Sequence, residues 1–169
     1  MADFDPIYSS TLQKEGGYKL TNSAGDNGGQ TYAGISRKSN PGWSGWAYVD
    51  RGETPPTPLV RALYRERYWA PMRLDEVRDQ RIAESLYEFG FVAGIKVSAK
   101  LAQVVVGVEP DGQIGDKSLA ALNGMSSPDL FLARFTIAKI ARYRDIVMRD
   151  RSQSKWLLGW LNRALEGAT

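Results

Sequence analysis

The sequence predicts a mainly helical α+β fold with a small antiparallel β-hairpin or sheet near its N-terminus. Apolar residues recur every three or four positions over much of the chain, which is the spacing of helices that pack on a core. Residues 18–36 are different, because glycine, asparagine and aspartate are frequent there and Asn27-Gly28 is a strong hairpin signal.

The length of 169 residues suggests one domain with enough chain to bury a core. Within this single domain, residues 1–169, we expect two regions. Residues 1–75 would contain a first helix, the β-hairpin and a loop, and residues 78–169 would form a region built of helices.

The first helix is expected to start at Asp5-Pro6, with Asp5 as the N-cap and proline at the first helical position. Gly16-Gly17 would end it, because glycine readily adopts the left-handed conformation of a C-cap. Glu15 would then lie in the last turn, near the negative end of the helix dipole, which disfavours a charged carboxylate. Burial against Tyr18 would act in the same direction, so we expect Glu15 to hold a proton at neutral pH.

The rest of the chain is predicted as a short sheet, a loop and a series of helices. An irregular antiparallel sheet is expected between about residues 18 and 35, followed by an extended loop over residues 37–57 that carries Trp43 and Trp46. The later helices are predicted from Thr57-Pro58 to before Pro71, through Ile82 to Ala93, through Ala99 to Val106, from Asp116 to Gly124, from Ser127-Pro128 onward, and around Trp156 to Leu161.

Two residue types are absent from the sequence, and their absence excludes several kinds of site. Without cysteine the chain forms no disulfide, no thiol nucleophile and no thiolate metal site. Without histidine it has no Ser-His-Asp or Cys-His catalysis and no zinc site with histidine ligands. Any hydrolytic chemistry must therefore use carboxylates, hydroxyls or lysines.

The net charge of +3 is unevenly distributed. Residues 134–163 contain eight bases and two acids, a net charge of +6 over that segment. Such a segment would favour an anionic partner, such as a cell-envelope polymer, a lipid surface or a nucleic acid, although a solvated helix face is the ordinary alternative. The start of the chain, Met1 to Asp5, carries acids where a secretory signal has bases, so we expect synthesis in the cytoplasm.

Glu15, Asp26 and Thr31 are the candidate catalytic residues. Glycoside hydrolysis needs a carboxylic acid that holds its proton and a second group that positions water or stabilises the positive charge of the transition state. Glu15 suits the first role. Asp26 or Thr31 would supply the second, because a glycine-rich turn can bring them opposite Glu15. From the residues alone, an exposed acid at a helix end is an equal alternative.

The motifs in this region resemble those of glycoside hydrolase family 108. They are Glu15-Gly16-Gly17-Tyr18, the run from Asp26 to Thr31, and Gly34-Ile35-Ser36. The second half resembles the peptidoglycan-binding-type region of that family, in Asp111-Gly112-Gln113-Ile114-Gly115, in Ser118 to Leu122 and in Gly159 to Arg163. One segment departs from the family pattern, since Val92-Ala93-Gly94 stands where an Asn-Ser-Gly-like segment is expected.

The resemblance implies a lysozyme-like fold and an N-acetylmuramidase, many of which are phage endolysins. It implies that Glu15 is the general acid, that Asp26 and Thr31 support it, and that peptidoglycan is the substrate. We expect Tyr18, Gln30 and Tyr32 to bind the sugar, with Trp43 and Trp46 as further stacking candidates. We expect no metal, no cofactor and no nucleic acid, a monomer, and holin-type release from the host cytoplasm to the periplasm and cell wall.

Two alternatives remain open from the sequence. A lytic transglycosylase also uses one glutamate on the same bond but ends in a 1,6-anhydro sugar. A non-catalytic module that binds the cell wall or nucleic acid would use the basic segment and would have no need of Glu15.

Overall fold

The computed structural model describes residues 1–22 and 29–166. The chain divides into a sheet-containing unit, Asp3–Ala70, and a helical unit formed by Met1–Ala2 and Pro71–Thr169. The division falls close to the predicted boundary between residues 75 and 78, and a single domain over 1–169 stays a prediction. The mainly helical α+β fold with a small antiparallel sheet is confirmed.

The sheet-containing unit begins with helix α1, Phe4–Lys14. Its N-cap is Asp3, whose side chain accepts a hydrogen bond from the backbone N–H of Asp5, so the predicted cap at Asp5 is wrong by two residues. The predicted C-terminus is confirmed, because Gly16 and Gly17 follow the helix with φ values of +89° and +74°. The buried face of α1 packs its aromatic residues on the core of this unit.

A three-stranded antiparallel sheet follows, with strands β1 at Leu20–Asn22, β2 at Gln30–Tyr32 and β3 at Ile35–Ser36. The order is β1-β2-β3, and Leu20 lies opposite Tyr32 while Tyr32 lies opposite Ile35. The sheet that the sequence predicted between about residues 18 and 35 is thus present. The predicted Asn27-Gly28 turn and Asp26 lie outside the described residues.

The segment predicted as an extended loop, residues 37–57, contains a short helix, α2, at Trp46–Val49. Packing of aromatic side chains accounts for the difference, since Trp43 and Trp46 are buried with their rings 5.2 Å apart, edge to face. Helix α3 then covers Thr57–Tyr64 and continues as a π-helical turn, Arg65–Trp69. Its N-cap is Pro56, so Thr57 is the first helical residue and not the cap.

Two helices of the helical unit, α4 and α7, begin at side-chain caps, whereas α6 has Gly115 as its N-cap and Asp116 as its first helical residue. Asp79 caps α4 by accepting from two backbone N–H groups, and Ser127 caps α7 by accepting from Leu130. The helices are α4 at Gln80–Ala93, α5 at Ile95–Val106, α6 at Asp116–Asn123, α7 at Pro128–Arg149 and α8 at Leu157–Glu166, with 3-10 turns at Ala70–Met72, Leu74–Glu76 and Arg151–Trp156. Among the described residues, none of the helices is long and apolar enough to span a membrane.

Candidate active site

Glu15 follows the last residue of α1 and is the C-cap of that helix. Its backbone N–H donates to the Thr11 carbonyl at 2.9 Å, so the backbone of the acid is fixed by the helix. We expected burial against Tyr18, but Glu15 is exposed to solvent. Tyr18 instead shares a hydrogen bond of 3.0 Å between its hydroxyl and that of Tyr8. The carboxylate of Glu15 is therefore accessible to a substrate.

The stem of Glu15 lies against the turn that joins β2 to β3. Ala33 and Gly34 form this two-residue turn, and both have positive φ, +48° and +74°. A Cβ atom added to Gly34 would be 3.1 Å from both Cβ and Cγ of Glu15, so the glycine backbone contacts the aliphatic part of the side chain. The end of the helix and the tip of the hairpin thus meet at Glu15.

The structure places Thr31 on β2, three positions before Gly34, in the hairpin whose turn contacts Glu15. Thr31 is partly exposed, and its backbone carbonyl accepts from the Thr21 hydroxyl at 3.4 Å. Asp26, the other candidate for positioning water, lies outside the described residues. Among the described residues, Glu15 thus contacts the turn of the same hairpin whose strand β2 carries Thr31.

The three predicted sugar-binding residues differ in their surroundings. Tyr18 is 40% exposed, and Gln30 is half-buried with its amide oxygen accepting from Arg37 at 2.7 Å. Tyr32 is 4% exposed and stacks on Trp43 at a centroid distance of 6.0 Å. The rings of Tyr32, Trp43 and Trp46 are core side chains in this structure, and Tyr18 presents the most accessible ring of the candidates.

Sequence reasoning missed an ion pair that ties the hairpin to α2. Arg37 makes two hydrogen bonds to the Asp50 carboxylate, at 2.6 and 2.7 Å, while its guanidinium lies 5.1 Å from the Trp46 ring. These bonds lower the pKa of Asp50. The two residues are thirteen positions apart and nothing in their local sequence signals the pairing.

Sequence reasoning also missed the interactions of three tyrosines in this unit, Tyr64, Tyr68 and Tyr8. Tyr64 donates to the carbonyl of Ala33 at 2.9 Å, in a fully buried position. Burial raises the pKa of Tyr68, and of the two nearby charges Arg67 lowers this pKa while Glu15 raises it. Burial and the bond to Tyr18 likewise raise the pKa of Tyr8. The raised pKa values keep the hydroxyls of Tyr68 and Tyr8 neutral at physiological pH.

In the helical unit, the predicted binding motif Asp111 to Gly115 forms a loop built around the buried side chain of Gln103. The Gln103 amide nitrogen lies 2.7 Å from the Asp111 carboxylate and 2.9 Å from the Gln113 carbonyl, and its oxygen accepts from the Gly112 N–H at 2.8 Å. Gly112 has a φ of +84°, and a Cβ there would be 3.2 Å from the Lys96 carbonyl. The hydrogen bonds of Gln103 and the close approach at Gly112 thus give residues of this motif a structural role in the loop.

No group of three or more acidic residues in the described ranges lies close enough together to hold a metal ion. Residues that could serve as ligands are dispersed or already paired with arginine, as Asp116 and Glu76 are with Arg73 at 2.7 Å.

Two family models match this chain. The family model described as Glycosyl hydrolase 108 matches residues 8–94, which include Glu15 and the whole sheet, and a model described as Predicted Peptidoglycan domain matches residues 95–165. The boundary between the two matches falls at Gly94, between α4 and α5. No curated protein sequence matches the chain.

Among solved structures, SagA of Brucella abortus is similar over nearly its whole length. The match has a TM-score of 0.65 at 22% sequence identity and covers 97% of this chain and 94% of SagA. The two proteins share a fold, and the expected lysozyme-like, mainly helical architecture is confirmed. The family match spans more than half of the chain, so this protein belongs to the glycosyl hydrolase 108 family and is a glycoside hydrolase that acts on peptidoglycan.

Proposed function

We propose that the protein is a muramidase that hydrolyses the β-1,4 bond between N-acetylmuramic acid and N-acetylglucosamine, acting as a monomer. The observation that supports this most is the position of Glu15, which is exposed at a helix end while its stem contacts the hairpin turn at Gly34. A glycosidase needs one carboxylic acid in a fixed position that the glycan can reach.

In the proposed reaction, Glu15 in its protonated form donates its proton to the glycosidic oxygen. The bond from that oxygen to the anomeric carbon breaks, and positive charge develops on the sugar ring as it does in other glycosidases. A water molecule positioned by Thr31 or Asp26 attacks the anomeric carbon; the proton it loses passes to solvent, and the Glu15 carboxylate takes up a proton from solvent before the next turnover. One water is consumed, and the products are a free leaving-group hydroxyl and a new reducing end.

Replacement of Glu15 by glutamine tests the assignment of the acid. Glu15→Gln keeps the size of the side chain but removes the proton donor, so the rate of peptidoglycan clearance should fall by about 100-fold or more. Glu66→Gln makes the same change at an exposed glutamate of the same unit and should clear cell walls at the wild-type rate. Clearance by Glu15→Gln at the rate of the control would rule the assignment out.

We also propose that the C-terminal helices contact an anionic envelope. Lys139 is buried, but Arg149, Arg151 and Lys155 are exposed, and Trp156 and Leu158 next to them are 55% and 70% exposed. Basic and apolar side chains together favour anionic lipid surfaces. Changing Arg149, Arg151 and Lys155 to glutamate should abolish sedimentation with anionic vesicles, whereas Lys117→Glu should not, and equal binding by both variants would contradict the proposal.

An endolysin role and antimicrobial use follow from this function as a further proposal. The enzyme would collect in the host cytoplasm and reach the wall after holin-type release of the bacteriophage lysis pathway. Expression in a bacterium should then lyse the cells only when a holin is expressed with it. Lysis at the same rate without a holin would contradict this route.

A further inference from the structure

The turn that contacts Glu15 is held from the inside of the unit by one tyrosine. Tyr64 is the last residue of α3 and is 2% exposed, and its hydroxyl donates to the Ala33 carbonyl at 2.9 Å. Ala33 is itself 1% exposed, so this hydrogen bond is shielded from water. A buried carbonyl without a partner is costly, and the bond therefore fixes the turn relative to α3.

The neighbouring position, Gly34, lies between the tyrosine and the acid. A Cβ atom placed on Gly34 would be 2.5 Å from the Tyr64 hydroxyl oxygen and 3.1 Å from Cβ and Cγ of Glu15. The φ of +74° also favours glycine at this position. The Tyr64 hydroxyl and the Glu15 stem thus both lie close to the Gly34 backbone, and the space between them is too small for a methyl group.

A second tyrosine contact anchors the segment that follows Glu15. The Tyr8 ring meets the Tyr64 ring edge-on at a centroid distance of 5.7 Å. The Tyr8 hydroxyl is bonded to that of Tyr18, three residues after Glu15. Both the segment that follows the acid and the turn that contacts its stem are therefore anchored to the same aromatic cluster.

We propose that Tyr64 is a positioning residue for the hydrolytic reaction: through its bond to Ala33 it sets where the Glu15 carboxyl stands relative to the glycosidic oxygen. This inference rests on the proposed function, in which Glu15 is the acid. Tyr64 does not act on the substrate itself, because its proton is donated to a backbone carbonyl and its side chain is buried. Its effect is on geometry, and a displacement of about 1 Å in an acid can cost about 100-fold in rate.

The first test is Tyr64→Phe, which removes the hydroxyl and keeps the ring contacts. On soluble, uncrosslinked glycan strands, kcat should fall by about 10- to 100-fold while KM stays within about twofold, because substrate binding does not use the hydroxyl. Tyr48→Phe is the matched control, since it makes the same change at a ring that packs beneath Arg51, and it should keep the wild-type kcat. Rates are compared well below the melting temperature of each variant, so that loss of folded protein does not enter kcat.

The second test uses the contact at Gly34. Gly34→Ala should lower kcat, because its methyl group meets the hydroxyl of Tyr64 and the stem of Glu15. Adding Tyr64→Phe to Gly34→Ala removes one of those clashes, so the double variant should lose less activity than the product of the two single losses. Multiplicative losses would show that the two residues act independently and would overturn the inference.

The outcomes separate this inference from the proposed function. If Glu15→Gln keeps the wild-type rate, the proposed function fails and the role of Tyr64 fails with it. If Glu15→Gln is inactive while Tyr64→Phe keeps the wild-type kcat, Glu15 remains the acid and only the positioning role is wrong. If Tyr64→Phe raises KM and leaves kcat unchanged, the hydroxyl serves substrate binding and the positioning role is likewise wrong.

Discussion

Glu15 combines an exposed carboxylate with an aliphatic stem that lies against the hairpin turn. Its carboxylate reaches solvent, while its stem is confined by the backbone of Gly34 and its own backbone is bonded into the last turn of α1. An acid held in this way loses little conformational entropy when a substrate arrives, which is the physical basis of a preorganised catalytic group.

Thr31 provides the first prediction at the residue scale. If its hydroxyl positions the attacking water, Thr31→Val should lower the rate of glycan cleavage by about 10- to 100-fold, because valine keeps the shape and removes the hydrogen bond. Thr31→Ser retains the hydroxyl and should keep most of the activity. Equal rates for the two variants, measured on the same cell-wall preparation, would assign the water to another group.

The sequence predicted Glu15 as a candidate acid, but it did not predict the side chains that hold the surrounding backbone in place. A glutamate before two glycines is unusual for a core and is visible in the sequence. Tyr64 has the spacing of an ordinary core residue of α3, and nothing local shows that its hydroxyl bonds to a carbonyl 31 positions away. Burial of Tyr32, Trp43 and Trp46 was equally hidden, because an aromatic residue in a loop can stack on a sugar or on its neighbours.

At the scale of elements, the loop between α5 and α6 depends on one buried amide. Gln103 is 1% exposed and contacts Asp111, Gly112, Gln113 and Ser118 through its two amide atoms. The loop has little regular structure, so these bonds replace those of a helix or sheet.

We predict that Gln103→Leu destabilises the protein by about 1–3 kcal/mol, because it leaves the buried Gly112 N–H without its partner. The free energy of unfolding from a urea titration measures this. Val104→Ala, at a 62% exposed position next to it on the same helix, is the control and should change stability by less than about 0.5 kcal/mol. A similarly small effect of Gln103→Leu would show that the loop does not depend on the amide.

Some element boundaries were predictable from capping chemistry, although the Asp3 cap of α1 was missed because Asp5-Pro6 carries a similar signal two residues later. Gly16-Gly17 and Ser127 mark helix ends through local conformation or a side-chain hydrogen bond, and such signals lie within a few residues of the boundary. Helix α2 was missed because packing of Trp46 stabilises it, and its four residues carry no capping side chain.

At the scale of the whole molecule, stability should depend on pH through a buried lysine. Lys139 on α7 is 4% exposed, and its ammonium lies 3.0 Å from the Ser85 hydroxyl and 4.6 Å from the centroid of the Phe135 ring. Burial lowers the pKa of Lys139 from 10.5 to about 8, and Glu88 opposes this by a smaller amount.

The lowered pKa of Lys139 means that the unfolded chain binds more protons than the folded chain between the two pKa values. Stability should therefore rise with pH across this window, by about 1–2 kcal/mol between pH 8 and 9.5. Lys139→Met removes the ionisable group. The free energy of unfolding of the wild type should therefore increase relative to that of the variant as the pH rises from about 8 to about 9.5. A difference that stays constant from pH 7 to 9.5 would contradict the prediction.

The fold class of the whole chain was predictable because helical periodicity and one glycine-rich hairpin extend over many residues. The predicted boundary between residues 75 and 78 lies a few residues after the separation of the two units at Ala70. Both positions depend on where the sequence becomes uniformly helical in its spacing of apolar residues. A hairpin that folds back towards Glu15 was predictable from the glycine-rich segment that follows it, but the residue that meets the Glu15 stem, Gly34, was not, because nothing local in the sequence signals that contact.

The most direct test of the central claim is mass spectrometry of the products formed from purified peptidoglycan. Hydrolysis with Glu15 as the acid predicts muropeptides with reducing N-acetylmuramic acid ends from the wild type, formed about 100-fold or more slowly by Glu15→Gln. Products with 1,6-anhydro ends would identify a lytic transglycosylase, and the same reducing ends in equal amounts from Glu15→Gln would show that another residue is the acid.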